Sequence, residues 1–154
     1  MKKHPHYHYL SLEEKTVLFF QETKKELGGI TDKKLEEVVC RIFCFIRRTL
    51  SDREMQMLLF TMPVYLKLLW SRDRQCGRAL TRMTHLDELV ETIYQAEQRN
   101  PLAPVFHSEI EVLHAVIIVL KKLDNMFGTL SLPGFSFTLV QEIREVSLDE
   151  AALV

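Results

Sequence analysis

The chain has 154 residues, 47% hydrophobic and 27% charged, with a formal net charge of -1. That composition suffices to close the core of a single domain over residues 1–154 and argues against a disordered chain, while the near-neutral balance offers no global field to gather nucleic acid or an anionic membrane. Five glycines and five prolines are few for an all-β fold, and the longest apolar run, Ala115 to Leu120, falls far short of the ~20 residues that cross a bilayer, so neither a signal peptide nor a spanning helix is expected.

Ser11-Leu12-Glu13-Glu14 reads as a capping box, a hydroxyl followed three residues on by a carboxylate. The helix it opens should run to Leu27, where Gly28-Gly29 ends it. Thr31 and Asp32 offer the next N-cap. Leu35, Val38, Val39, Ile42, Phe43, Ile46 and Leu50 then recur with the helical period on one broad face. Ser51-Asp52-Arg53-Glu54 is a second capping box. Its helix must break at Pro63, which lacks an amide and disfavours helix at Met62. A short helix restarts there and reaches Trp70.

Residues 71–83, SRDRQCGRALTRM, form a polar, basic connector. A further helix is expected from Thr84-His85-Leu86-Asp87 to about Gln98, then a loop at NPLAP. Ser108 caps a very apolar helix reaching about Asp124, Pro133-Gly134 breaks the chain, and a last helix covers Ser136 to Glu145, with one more turn possible from Ser147.

The segments EVVCRIFCFIRR, from residue 37, and EVLHAVIIVLKK, from residue 111, align without a gap at an offset of 74. Met62-Pro63 and Leu132-Pro133 match at an offset of 70, so the second copy is shorter by four residues. The reading is an all-α helical bundle built from two homologous three-to-four-helix units, about 11–70 and 84–146, related by a pseudo-twofold axis. The two core helices, near residues 42 and 116, are expected to pack on each other, and the Cys40/Cys44 side of the first to be covered.

Three stretches carry a family resemblance: Ile42 to Arg48, Leu50 to Glu54, and Met62 to Lys67, with HLDELVETI from His85 as a second-half counterpart. Together they resemble the bacterial duplicated helical domains grouped as domain-of-unknown-function family 2267, over roughly residues 17–146. Ser71-Arg72-Asp73 replaces the glycine-tryptophan that often follows in that family. The resemblance implies an all-helical cytosolic bundle and assigns no activity.

Four sets of residues invite chemistry. His4, His6 and His8 alternate in MKKHPHYHYL, and extended residues rise about 3.3 Å each, so neighbouring pairs lie near enough to share a metal suited to imidazole. No fourth rigid ligand stands nearby, which favours a tail over a metal site. Cys40 and Cys44 lie one helical turn apart and His114 occupies the position equivalent to Cys40, so a core polar cluster with metal or redox capacity is conceivable. The alternative is small thiols buried as apolar groups. The three cysteines, Cys40, Cys44 and Cys76, are odd in number and include no CxxC pair, from which no disulfide framework and a cytoplasmic location are expected.

Arg72, Arg74, Arg78 and Arg82 form the one local charge bias, able to hold an anion or nucleic acid if presented as a stripe. No aromatic residues intervene for base stacking, so nucleic acid is disfavoured, and pairing with the acidic helix of Asp87 to Glu97 is the competing expectation. Met55, Met57, Met62 and Trp70, with Phe60 and Tyr65, gather around Pro63, either completing the core or forming an apolar groove for a partner. No phosphate loop, nucleophile elbow or metalloprotease motif occurs, and no cofactor is expected. The sequence thus favours a non-catalytic binding or assembly module, with a protein partner or homo-oligomer and no membrane. The alternatives are a small-ligand or metal-dependent activity in the bundle core, and anion binding through the arginine connector.

Overall fold

The computed structural model describes residues 9–72, 82–99 and 104–146. These residues form α1 (Leu12–Glu26), α2 (Asp32–Thr49), α3 (Asp52–Thr61), α4 (Val64–Arg72), α5 (Leu86–Arg99), α6 (Glu109–Phe127), a 3-10 turn at Thr129–Ser131, and α7 (Phe137–Glu145), with no strand among them. No helix of the described residues is long and apolar enough to cross a membrane.

The helices begin where local chemistry satisfies their orphan amides. Ser11 and Ser51 each make the full reciprocal capping box, with Glu14 and Glu54 respectively. Thr31, Ser108 and Ser136 cap α2, α6 and α7 through their hydroxyls. At α5 the carboxylate of Glu88 reaches back to the amides of Thr84 and His85, at 3.0 and 2.9 Å. Met62 is extended (φ -90°, ψ 141°) ahead of Pro63, which separates α3 from α4 as expected.

Two long helices organise the core. Ala115 to Leu120 is buried at every position, and Val112, Leu123 and Met126 extend the buried surface of α6 at both ends. The stretch Ala115–Leu120, apolar on every side, requires neighbours all round, and α6 packs most extensively on α5, α1 and the 3-10 turn, with α7 and α2 adding smaller contacts. α2 is the second hub and packs mainly on α4 and α1. Cys40 and Cys44 are buried on it. Leu35, Ile42 and Phe43 are sealed, as are Ile117, Leu120 and Leu123, each contributing roughly 1.5–3 kcal/mol of burial free energy.

The two core helices touch, but each packs more extensively on other helices than on the other. The core is therefore shared among α1, α2, α5 and α6 and is not one pairwise seam. The halves also differ after their core helices. The first continues with the ten-residue α3, whereas the second has only the three-residue Thr129–Ser131 turn. α6 outlasts its expected end at Asp124 by a turn, to Phe127, where Gly128 provides a left-handed cap (φ 67°). Asp124 then serves the fold from inside the helix: it accepts from the Leu130 amide (3.1 Å) and pairs with Arg144 of α7 (2.9 Å).

Candidate functional site

Among the described residues, the largest cluster of exposed apolar side chains lies where α1 meets the corner between α3 and α4. Leu58, Leu66, Leu69 and Trp70 turn inward and are buried, Trp70 lying 5.2 Å from the Phe43 ring. On the opposite side Phe60 is 89% exposed, Val64 71% and Leu68 58%. Pro63 sets this pattern, because the break lets Phe60 from one helix continue outward into the Val64/Leu68 stripe of the next. The residues wall a groove of about 460 Å³ whose other side is Leu12, Glu13 and Thr16 of α1. Its floor includes Met62, Pro63 and Tyr65.

The floor is rigid for electrostatic reasons. The phenol of Tyr65 donates to the carboxylate of Glu36 on α2, and Arg72 binds the same carboxylate at 2.9 Å. The Tyr65 bond, then Arg72, holds the Glu36 carboxyl below its ordinary range. The same bond pushes Tyr65 up to about 12, since ionising the phenol would destroy it. Arg47 adds a bond to the Trp70 carbonyl (2.8 Å), tying the end of α4 to α2.

A smaller cavity, of about 340 Å³, opens between the end of α1, the start of α2 and the N-terminal half of α6. Lys34, Glu26, Glu111 and His114 line it together with apolar residues such as Ile30, Val38 and Phe106. Lys34 donates to the Val105 carbonyl and Glu26 pairs with Lys122 at 2.7 Å, so part of this charge is committed to holding helices together.

The candidate residues of the sequence fall apart in space. Cys40 is directed at α4, its thiol 3.5 Å from the Leu69 carbonyl, whereas His114 lines the cavity beside α1. Cys44 is disulfide-bonded, which corrects the expectation of a chain without disulfides: an odd cysteine count excludes complete pairing and nothing more. Among the described residues no group of three or more His, Cys, Asp or Glu is arranged to hold a metal ion. His4, His6, His8, Arg74 and Arg78 lie outside the described residues.

Arg72 and Arg82 pair with carboxylates, though not with those of α5. Arg72 binds Glu36 of α2, and Arg82 binds Glu54 of α3 at 2.9 Å while donating to the carbonyls of Thr49 (2.8 Å) and Gly134 (3.2 Å). Of the residues expected around Pro63, Met62 and Trp70 complete the core, and Phe60 and Met57 remain exposed.

Sequence reasoning missed Glu97, which is 5% exposed and accepts from the amides of Val105 (2.7 Å) and Phe106 (3.3 Å) while pairing with Arg41 (3.2 Å). The signal was present: Glu97 continues the apolar stripe Leu86, Leu89, Val90, Ile93 of α5, where a carboxylate demands an internal partner. Leu12, Val64 and Leu68 were missed as groove walls, since periodicity identifies a face without saying whether anything covers it. Comparison with protein-family models, curated proteins and solved structures finds no match for this chain, so the resemblance to the duplicated bacterial family rests on its quoted motifs alone.

Proposed function

We propose that the chain is a non-catalytic binding or assembly module whose docking surface is the groove between α1 and the α3–α4 corner. One observation carries this reading: Phe60, Val64 and Leu68 stand exposed in register beside a preformed apolar trough. Clustered apolar side chains of this kind cost solvation in the isolated protein and regain it when a partner covers them. The rigid floor supports the same reading, because a surface that is already ordered loses little entropy on binding. The internal duplication and the kinship to the bacterial family belong to the proposal as well, whereas the disulfide at Cys44 removes the cysteine argument for a cytoplasmic location. The test is a photo-crosslinking side chain at position 64 of the full chain in cells. Discrete protein adducts that vanish in a Phe60→Asp/Leu68→Asp background support the reading, and absence of adducts overturns it.

A second reading is favoured by the His114 cavity, whose mixture of an apolar wall with Lys34, Glu111 and His114 suits a small amphipathic ligand. There the core-activity alternative narrows from the cysteines to His114. A thermal-shift screen of small amines and carboxylates, repeated on His114→Leu, tests it, and no His114-dependent stabilisation by any of them would remove it.

A further inference from the structure

We infer that the His114 cavity takes a free α-amino acid with an apolar side chain, held as its zwitterion, a step that rests on the small-ligand reading above. The two ends of the cavity differ, and the helices fix how. Lys34, in the first turn of α2, donates to the Val105 carbonyl, and Val105 lies just ahead of Ser108, the cap of α6. That bond carries the Lys34 ammonium to the N-terminal end of α6, where Glu111 stands in the first turn. One cation and one anion therefore line the same end of the cavity.

From there the wall turns apolar. Val38 follows Lys34 by one turn of α2, and Ala115 and Ile118 follow Glu111 by one and two turns of α6, a run of roughly 10 Å. Ile30 and Phe106 extend the apolar lining. Glu26 belongs to the far end, where its carboxylate already holds the ammonium of Lys122, one turn beyond Ile118, at 2.7 Å.

A head bearing both signs on a greasy body matches these two ends. The Lys34 ammonium has three N–H donors, of which the Val105 carbonyl takes one, so two can serve a carboxylate. Among the described residues the Glu111 carboxylate has no hydrogen-bond or ion-pair partner, and it can accept an ammonium. The pair also selects against ligands of a single charge. A simple amine drawn to Glu111 meets the Lys34 charge, and a simple carboxylate drawn to Lys34 meets Glu111. At about 340 Å³ the cavity lies at the small end of ligand sites, which suits an amino acid better than a large cofactor.

Isothermal titration calorimetry of the full chain with L-leucine, L-methionine and L-phenylalanine tests the inference, beside glycine, isopentylamine and 4-methylpentanoate. The last two are leucine without its carboxylate and leucine without its amino group. At least one of the three apolar amino acids is expected to bind one-to-one, about tenfold or more tightly than glycine, the amine or the acid. Glu111→Gln should weaken that binding about tenfold, the factor carried by one hydrogen bond to a charged group. Its circular dichroism spectrum should not change, because Glu111 is exposed. Lys34→Met should weaken binding as much, and Lys34→Arg, which keeps the charge, should weaken it less. An amine, an acid or glycine that binds as tightly as the amino acids overturns the inference, as does binding indifferent to Glu111→Gln. If the binding seen is nevertheless lost in His114→Leu, the small-ligand reading stands without the zwitterion. No binding by any of the three amino acids also overturns the inference, and the small-ligand reading then stands or falls on its own screen of amines and carboxylates.

Discussion

Gly134 offers the sharpest test of the packing between the two halves of the chain. It precedes α7 and has a φ of +107°, a region in which side-chain-bearing residues are strained. A Cβ built there would lie 2.4 Å from Leu50 Cδ2 and 3.0 Å from the Glu54 carboxyl group. Leu50 is buried at the end of α2, and Glu54 is held by both the Ser51 capping box and Arg82, so neither can withdraw freely. Gly134→Ala should therefore carry two penalties: about 1–3 kcal/mol of backbone strain and about 1–3 kcal/mol of overpacking. Gly28→Ala separates them. Gly28 has a comparable φ of +89°, but nothing lies within 4 Å of its Cβ position, so only the strain applies. Urea unfolding of both variants, compared through the midpoint at constant slope, should place Gly134→Ala below Gly28→Ala by about 1–3 kcal/mol. Equal losses would show that α7 does not press on the α2–α3 junction, and the account of how the halves meet would fail.

Other expectations follow from the polar contacts. Glu97→Ala should cost about 1–3 kcal/mol for each of the two buried amides it strands, and Glu97→Gln should cost less because an acceptor remains; chemical denaturation gives the order. Stability should fall at alkaline pH. Folded Tyr65 keeps its proton to about 12 while the unfolded phenol loses it near 10, so the folded state holds more protons in that window and loses stability across it. Tyr65→Phe should flatten this limb in a pH series of thermal melts. At acid pH the sign reverses. Glu36 is depressed by Tyr65 and Arg72, so its contribution is complete above the ordinary glutamate range and declines as pH falls through the lowered folded value. Glu36→Gln should shrink that acid limb in the same melts.

The sequence was informative wherever the determinant was local. Ser11, Thr31, Ser51 and Ser108 all cap helices as read, because a cap is settled within four residues, and Ser136, read as the first residue of the last helix, caps it instead. The break at Pro63 and the full burial of Ala115 to Leu120 were legible for the same reason. Long-range pairing was not. Arg82 chooses Glu54 and two carbonyls over the nearer acidic helix, and Cys40 faces α4 while His114 faces α1, since sequence spacing does not encode which helix lies opposite. The groove was half legible: Phe60 and Tyr65 drew notice as aromatic residues, but Val64 and Leu68 look like ordinary core residues until the helix is seen to turn them outward.

The burial of Ala115 to Leu120 on all sides governs how the molecule comes apart. A helix sheltered by a single neighbour can be peeled away at the expense of one contact, but α6 is enclosed by α1, α2, α5 and α7 together. Drawing any one of them away wets part of the apolar surface centred on Ala115 to Leu120. Partial opening therefore exposes much of the greasy centre at once, and the amides of Ala115 to Leu120 should exchange with deuterium only when the whole chain unravels.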